Sequence, residues 1–155
     1  MNEKNTKESV KDEVLHKEID LIQTCITRMA DNSFKLKELY VTLISIGVTV
    51  MISQECKLLI VSIFLIIVSD VFWGLDAFFL KMETLFRWKY EWVIKKRLDG
   101  ESNYLYDLNP YNRSMWLESN IKHECLLHFV FTKTLVPLYG IVLGTALILL
   151  VVGLY

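Results

Sequence analysis

Three long apolar runs constrain this 155-residue chain more than any other feature. They cover about residues 36–53, 58–80 and 134–155, and about 20 predominantly apolar residues in a helix can cross the hydrocarbon core of a bilayer. The sequence therefore predicts an all-α integral membrane protein with three transmembrane helices. We expect an N-terminal cytosolic arm over residues 1–35 and a transmembrane domain over residues 36–155.

The positions of the basic residues predict the orientation. Lys and Arg number seven in residues 1–38, one in residues 54–57 and nine in residues 81–133, and none follows Lys133. Cytoplasmic flanks of membrane helices carry an excess of these residues. We therefore expect a cytosolic N-terminus, a cytosolic helical segment over 81–133 and a C-terminus on the outer side.

The N-terminal arm has a heptad pattern, which predicts a helix. Its apolar positions alternate at spacings of four and three residues: Leu15, Ile19, Ile22, Ile26 and Met29. Either one helix continues from the arm into the first span, or it breaks at residues 31–33, where Asn32 or Ser33 would cap the membrane helix. The apolar seam needs a partner, either a neighbouring subunit or residues 115–133 of the same chain.

The segment between the second and third spans is predicted to begin and end as helix. Residues 81–98 should extend the second span, with Asp99 and Gly100 ending the helix. A further helix from about Arg113 should lead into the third span.

Polar residues recur within the spans. Ser62, Ser69, Asp76 and Glu83 are seven residues apart, so they lie along one stripe of the second helix. Such a stripe would suit a water-filled path for cations, although Ser and Thr are also common where membrane helices pack. The first span has a similar set, and the candidates to line a pore are accordingly Ser62, Ser69, Asp70, Asp76, Glu83, Thr42, Ser45 and Thr49.

Asp70 lies roughly 18 Å along the second span from Leu58, close to mid-depth. A charged residue there costs at least roughly 2.5–3.5 kcal/mol, so it usually faces a cavity or a partner. Asp70 is therefore either part of an ion or proton path or a protonated acid bonded to a neighbouring helix. For Asp76, nearer the cytosolic boundary, we expect Lys133 as the counter-ion, whereas Lys37 should reach toward the headgroups.

Two further patterns are short. Gly140 and Gly144 form a GxxxG pair, which predicts close helix packing, within or between subunits. A basic cluster follows the second span and could bind anionic lipid or an anionic ligand such as a nucleotide, with Trp88 or Trp92 stacking on it. Its members are Lys81, Arg87, Lys89, Lys95, Lys96 and Arg97.

Nothing in the sequence indicates an enzyme, a cofactor or a metal site. There is no glycine-rich phosphate loop, and His123 and His128 are five residues apart where the zinc-protease pattern requires four.

Two stretches resemble a group of small bacterial membrane proteins. One is the run from Arg28 to Lys37, RMADNSFKLK. The other is Phe72–Ala77, FWGLDA, followed by Leu80, Glu83, Phe86 and Arg87. Some of these proteins accompany nucleotidyltransferases in antiphage defence, as the membrane effector of the Hailong system does.

The resemblance implies a homo-oligomeric ion channel of the bacterial inner membrane, with a tetramer favoured, that collapses ion gradients. A nucleotide or oligonucleotide made by a partner nucleotidyltransferase would gate it from the cytosol. Residues carried over as ligand-binding candidates are Arg28, Asn32, Lys35 and Arg87. The alternative is a non-conducting membrane anchor or scaffold for a soluble partner.

Overall fold

The computed structural model of the protein describes residues 2–101, 103–119 and 125–154, with side chains described from residue 12 onward. These residues form helices and turns and contain no strand. The helices are α1 (Asn2–Ser53), α2 (Leu58–Leu98), α3 (Arg113–Glu118), α4 (Leu126–Val130) and α5 (Leu135–Leu154).

Three of these helices are long and apolar enough to span a membrane, and they carry the three apolar runs. The segments with this property are Asp12–Ser53, Leu58–Leu98 and Leu135–Leu154. The predicted all-helical fold with three helices able to span a membrane is thereby confirmed.

The two long helices are continuous across the places where a boundary was considered. α1 has no break at residues 31–33, because Ser33 is helical and its side chain bonds to another helix instead of capping α1. α2 runs past residue 81 and ends as predicted, with Asp99 N–H still donating to the Lys95 carbonyl at 3.1 Å. Gly100 then has a φ of +80°, a left-handed conformation that glycine adopts without strain.

The approach to the third span is not the single helix that we predicted. α3 begins at Arg113 as expected, where Asn112 Oδ1 accepts a bond from the Ser114 N–H at 2.9 Å. It ends after six residues, and α4 and α5 are separate. Thr132 lies between α4 and α5, and its hydroxyl donates to the Phe129 carbonyl at 2.9 Å.

The chain divides into two compact units, each built from two segments. The polar unit comprises Met1–Ala30 and Met82–His123, and the span unit comprises Asp31–Lys81 and Glu124–Tyr155. In this division the segment Met82–His123, which follows the apolar run of α2, belongs to the same unit as the N-terminal arm.

The core of the polar unit explains the heptad seam. Ile22 is 1% exposed and packs in one cluster with residues of α2 and α3, and Ile26 packs against that cluster. The other buried members are Leu85, Trp92, Val93, Met115 and Trp116. Ile22 and Ile26 of the seam therefore find their partner within the chain.

The span unit packs α1, α2 and α5 around two apolar clusters, one centred on Tyr40 and Tyr139 and one on Leu65 and Ala146. A Cβ on Gly153 would lie 3.1 Å from the backbone nitrogen of Leu59, so this glycine permits close approach of α5 to α2.

The predicted GxxxG pair does not make such a contact. Among the described residues, a Cβ on Gly144 would meet nothing within 4 Å, and one on Gly140 would meet only Val136 of its own helix. A role of this pair between subunits stays a prediction.

Candidate membrane-embedded site

The carboxylate of Asp76 joins the three long helices of the span unit. It is fully buried, and it accepts bonds from Ser33 and Lys37 of α1 and from Tyr139 of α5. Lys37 Nζ lies 2.7 Å from Asp76 Oδ2 and 2.9 Å from Oδ1, and the Tyr139 hydroxyl donates to Oδ2 at 3.0 Å. Ser33 and Lys37 reach the same carboxylate because residues four apart share a helix face.

This arrangement corrects the expected counter-ion. We predicted that Lys133 would pair with Asp76 and that Lys37 would reach toward the headgroups. Instead Lys37 makes the ion pair, and Lys133 is exposed. The position of Lys37 near the start of an apolar run was the available signal, because a cation there needs a partner.

The same face of α2 carries two more buried hydroxyls. Ser69 is bonded to the Tyr40 hydroxyl at 2.9 Å, and Ser62 donates to the Leu59 carbonyl at 2.8 Å. The Tyr40 ring packs against that of Tyr139 with centroids 4.7 Å apart. Ser62, Ser69 and Asp76 are each 0% exposed, so this part of the predicted stripe is packed inside the span unit.

Glu83, the last member of the stripe, lies in the polar unit and pairs with Arg87 at 2.7 Å. An ion path along the outer surface of the span unit would not contact Ser62, Ser69 or Asp76, because all three are buried.

Asp70 has the opposite environment. The residue is exposed on the surface of the chain, and its side chain makes no hydrogen bond or ion pair with any described residue. Its helical neighbours Ile63 and Ile67 are also exposed, and a Cβ on Gly74, one turn further on, would meet nothing described within 4 Å. A lone carboxylate therefore lies near mid-depth of the second apolar run on an otherwise apolar surface.

The three pore-lining candidates of α1 are also exposed, but their hydroxyl protons are already used. Thr42, Ser45 and Thr49 donate to the carbonyls four residues earlier at 2.8, 2.8 and 2.7 Å. Such back-bonding satisfies a hydroxyl within its own helix. These residues can face either lipid or water, and their placement favours neither.

The basic candidates separate into those bound internally and those that are exposed. Lys89 is fully buried, pairs with Asp107 at 2.9 Å and lies 4.7 Å from the centre of the Trp92 ring. Lys96 pairs with Glu101 and Glu118 at 2.8 and 2.9 Å. Both cations neutralise acids of the polar unit.

Arg97 organises the polar unit through a partner that the sequence analysis missed. Its Nε and Nη2 donate to the two oxygens of Glu18 at 2.8 and 2.9 Å, and the same carboxylate accepts the Tyr106 N–H at 2.9 Å. Glu18 is 1% exposed. Its spacing of three from Leu15 and four from Ile22 places an acid on the apolar seam, a pattern that predicts a buried, paired carboxylate.

These contacts shift three pKa values in the polar unit. Burial raises the pKa of Asp107, but hydrogen bonds from Asn112 and Lys89 outweigh it and hold that pKa below its ordinary value. Bonds from Lys96 and then Trp92 lower the pKa of Glu118, and bonds to Glu101 and Glu118 raise the pKa of Lys96.

The remaining basic candidates do not converge on a described cleft. Arg28, Lys35 and Lys95 are exposed, and Asn32 is half-buried; none of their side chains makes a hydrogen bond or ion pair with a described residue. One cleft of about 350 Å³ contains Lys95 and Lys96 beside Glu91, Asp99 and Glu118. A second, of about 430 Å³, combines Arg87 with Glu91. Acids therefore offset the bases in both.

The described residues contain no group of three His, Cys, Asp or Glu side chains able to hold a metal ion. His123 lies outside the described residues.

The fold and this site define a helical protein with three helices able to span a membrane, one fully paired carboxylate and one exposed carboxylate in the same apolar segment. Comparison with known protein families, with curated proteins and with solved structures finds no match for the chain.

Proposed function

We propose that the chain assembles with copies of itself into an ion channel, with Asp70 of each copy facing the path of the ions. The observation that carries the proposal is the exposure of Asp70 in the middle of an apolar run without a partner among the described residues. In lipid this carboxylate would cost at least roughly 2.5–3.5 kcal/mol. An assembly that turns it toward a shared, hydrated interior removes that cost.

A ring of such carboxylates would favour cations. Acidic rings raise the local concentration of cations in a pore and repel anions. The neighbours on this face, Ile63 and Ile67, would give the path apolar walls beside the acidic ring. The small side of Gly74 would let neighbouring helices approach closely at that level.

This proposal moves the predicted ion path from one face of α2 to another. Asp70 replaces Ser62, Ser69 and Asp76 as the group in contact with ions, because those three are packed against α1 and α5. The paired face holds the span unit together, and the face with Asp70 is left for assembly.

The biological setting of the proposal comes from the resemblance to antiphage membrane effectors. On that basis the channel lies in the bacterial inner membrane with its N-terminus in the cytosol, a tetramer is favoured, and a nucleotide or oligonucleotide gates it. Among the ligand-binding candidates, Arg28, Arg87 and Lys95 of the polar unit and Lys35 of the span unit have side chains exposed for such contacts.

Flux through liposomes tests the channel. Purified protein should pass K⁺ in at least one of two conditions, without ligand or with short oligonucleotides added. Asp70→Asn should lower that flux about thirtyfold. A charge about 8 Å from the ion at an effective dielectric constant near 20 contributes roughly 2 kcal/mol. Asp31→Asn, which removes an exposed acid from α1 outside the apolar run, is the control and should conduct normally.

Absence of flux from the unmodified protein under every condition would refute the channel, and equal flux from Asp70→Asn would refute the role of Asp70 in the ion path. The second candidate function, a non-conducting anchor, is favoured by the packing of Ser62, Ser69 and Asp76 inside the unit. An anchor predicts that Asp70→Asn leaves the protein's biological activity intact.

A further inference from the structure

The ammonium group of Lys37 lies within a cluster of oxygen atoms. Lys37 Nζ is 2.6 Å from Ser33 Oγ, 3.4 Å from the Ser33 carbonyl oxygen, and 2.9 and 2.7 Å from the two oxygens of Asp76. Carboxylate, hydroxyl and carbonyl oxygens are the ligands that hard cations take in proteins. The ammonium group of Lys37, at the end of a flexible side chain, therefore occupies a position that a free cation could occupy.

The oxygens are held in place independently of Lys37. Ser33 donates its own proton to Asp76 Oδ1, so that its lone pairs are directed away from Asp76. The Tyr139 hydroxyl fixes Oδ2 from α5 at 3.0 Å. Ser33 is 8% exposed and Asp76 is 0% exposed, so the cluster would persist as a buried acceptor set if the lysine left it.

The lysine has a route out. Its side chain is 30% exposed whereas that of Asp76 is fully buried. A long lysine stem can carry its charge to the membrane surface. The vacated carboxylate would then be a buried anion without a cation, a costly state that binding of a free cation relieves.

We propose that Ser33 and Asp76 form a binding site for a monovalent metal cation, K⁺ or Na⁺, that Lys37 occupies with its own ammonium group. One carboxylate with neutral oxygens matches a single positive charge. A divalent ion prefers more carboxylates, and the described residues contain no group of three acidic or other metal-ligating side chains. Lys37 and the free cation are competitors for the same oxygens.

Cation binding at Asp76 is separate from ion conduction and does not depend on it. Asp76 is packed inside one chain, whereas the proposed ion path uses Asp70. A protein that passes no ions could still bind a cation here.

Removal of the lysine provides the test. Full-length Lys37→Ala is purified in detergent, and its thermal unfolding midpoint is measured in KCl, NaCl and choline chloride at equal ionic strength. Between 1 and 100 mM, K⁺ or Na⁺ should raise the midpoint of Lys37→Ala by roughly 5 °C relative to choline, since a ligand that binds only the folded state stabilises it. The unmodified protein, whose site is filled, should change by less than about 1 °C.

Two variants complete the design. Lys57→Ala removes an exposed lysine between α1 and α2 and should show the same salt dependence as the unmodified protein. Lys37→Ala combined with Asp76→Asn should lose the dependence on K⁺ or Na⁺. Equal midpoints of Lys37→Ala in all three salts would overturn the site, and so would failure of Lys37→Ala to fold in any of them.

Discussion

Asp70 and Asp76 are six residues apart on one apolar helix, yet their surroundings are opposite. Asp76 accepts bonds from three side chains and is fully buried, whereas Asp70 is exposed and has no hydrogen-bonding or ionic partner among the described residues. At about 100° per residue, the two side chains leave the helix about 120° apart. The direction in which a carboxylate leaves the helix, more than its depth, therefore separates Asp76, which holds the unit together, from Asp70, which is left for assembly.

Loss of the Asp76 carboxylate should have the strongest effect on stability. Asp76→Ala should destabilise the folded chain by about 3 kcal/mol, because it strands the Lys37 ammonium and leaves the Tyr139 hydroxyl without an acceptor. Thermal unfolding in detergent, followed by circular dichroism, measures the loss. Asp70→Ala is the matched variant and should change the unfolding free energy of the dispersed chain by less than about 0.5 kcal/mol. Equal destabilisation by the two variants would contradict the difference between a packed Asp76 and an exposed Asp70.

The buried pair of Glu18 and Arg97, outside the apolar runs, tests whether removal of one partner destabilises the chain there as well. Arg97→Ala leaves Glu18 buried without its cation and should cost about 3 kcal/mol. Lys95→Ala, which removes an exposed base of the same helix, should cost less than about 0.5 kcal/mol. Chemical denaturation of the two variants separates them, and similar midpoints would mean that the Glu18–Arg97 pair does not organise the polar unit.

A smaller effect concerns a paired carboxylate that is only partly buried. The pKa of Asp107 lies below its ordinary value, so its contribution to stability is present above the pKa of the unfolded chain and is lost as pH falls through the lowered folded value. Stability should therefore decrease as pH falls below about 4. Asp107→Asn should flatten that part of the pH profile of unfolding, and an unchanged slope would show that Asp107 does not contribute.

The smallest effect is expected for the pair of Glu83 and Arg87, which lie four residues apart on α2. The Arg87 side chain is 61% exposed and that of Glu83 is 15% exposed. Water at the exposed guanidinium group screens the pair, so we expect it to contribute no more than about 0.5 kcal/mol. Glu83→Gln should change the unfolding free energy by no more than about 0.5 kcal/mol and should leave cation flux unchanged. A flux loss as large as that of Asp70→Asn would restore Glu83 to the ion path.

Most of the fold follows from patterns along the chain. The apolar runs indicated the three helices able to span a membrane, and the register of Ile22 and its neighbours indicated a buried seam. The split between α4 and α5 was missed, because residues 131–134 contain no glycine or proline to mark it.

The site was predictable only in part. Seven-residue spacing correctly placed Ser62, Ser69 and Asp76 on one face of α2, but periodicity alone does not say whether a polar face meets water or another helix. Ser33, Lys37, Tyr40 and Tyr139 decide that question, and they come from helices distant in sequence. Asp70 was identified from its depth, whereas its exposure needed the packed structure.

The reactivity of a cysteine at residue 70 measures whether this position is in contact with water in the assembled protein. Single cysteines are placed at Asp70 and at Ser69 after Cys25, Cys56 and Cys125 are replaced by serine, and liposomes are treated with a small cationic thiol reagent. The account predicts fast modification of Asp70→Cys with a fall in cation flux, and little modification of Ser69→Cys. An unreactive Asp70→Cys in a conducting assembly, or preferential reaction of Ser69→Cys, would contradict it.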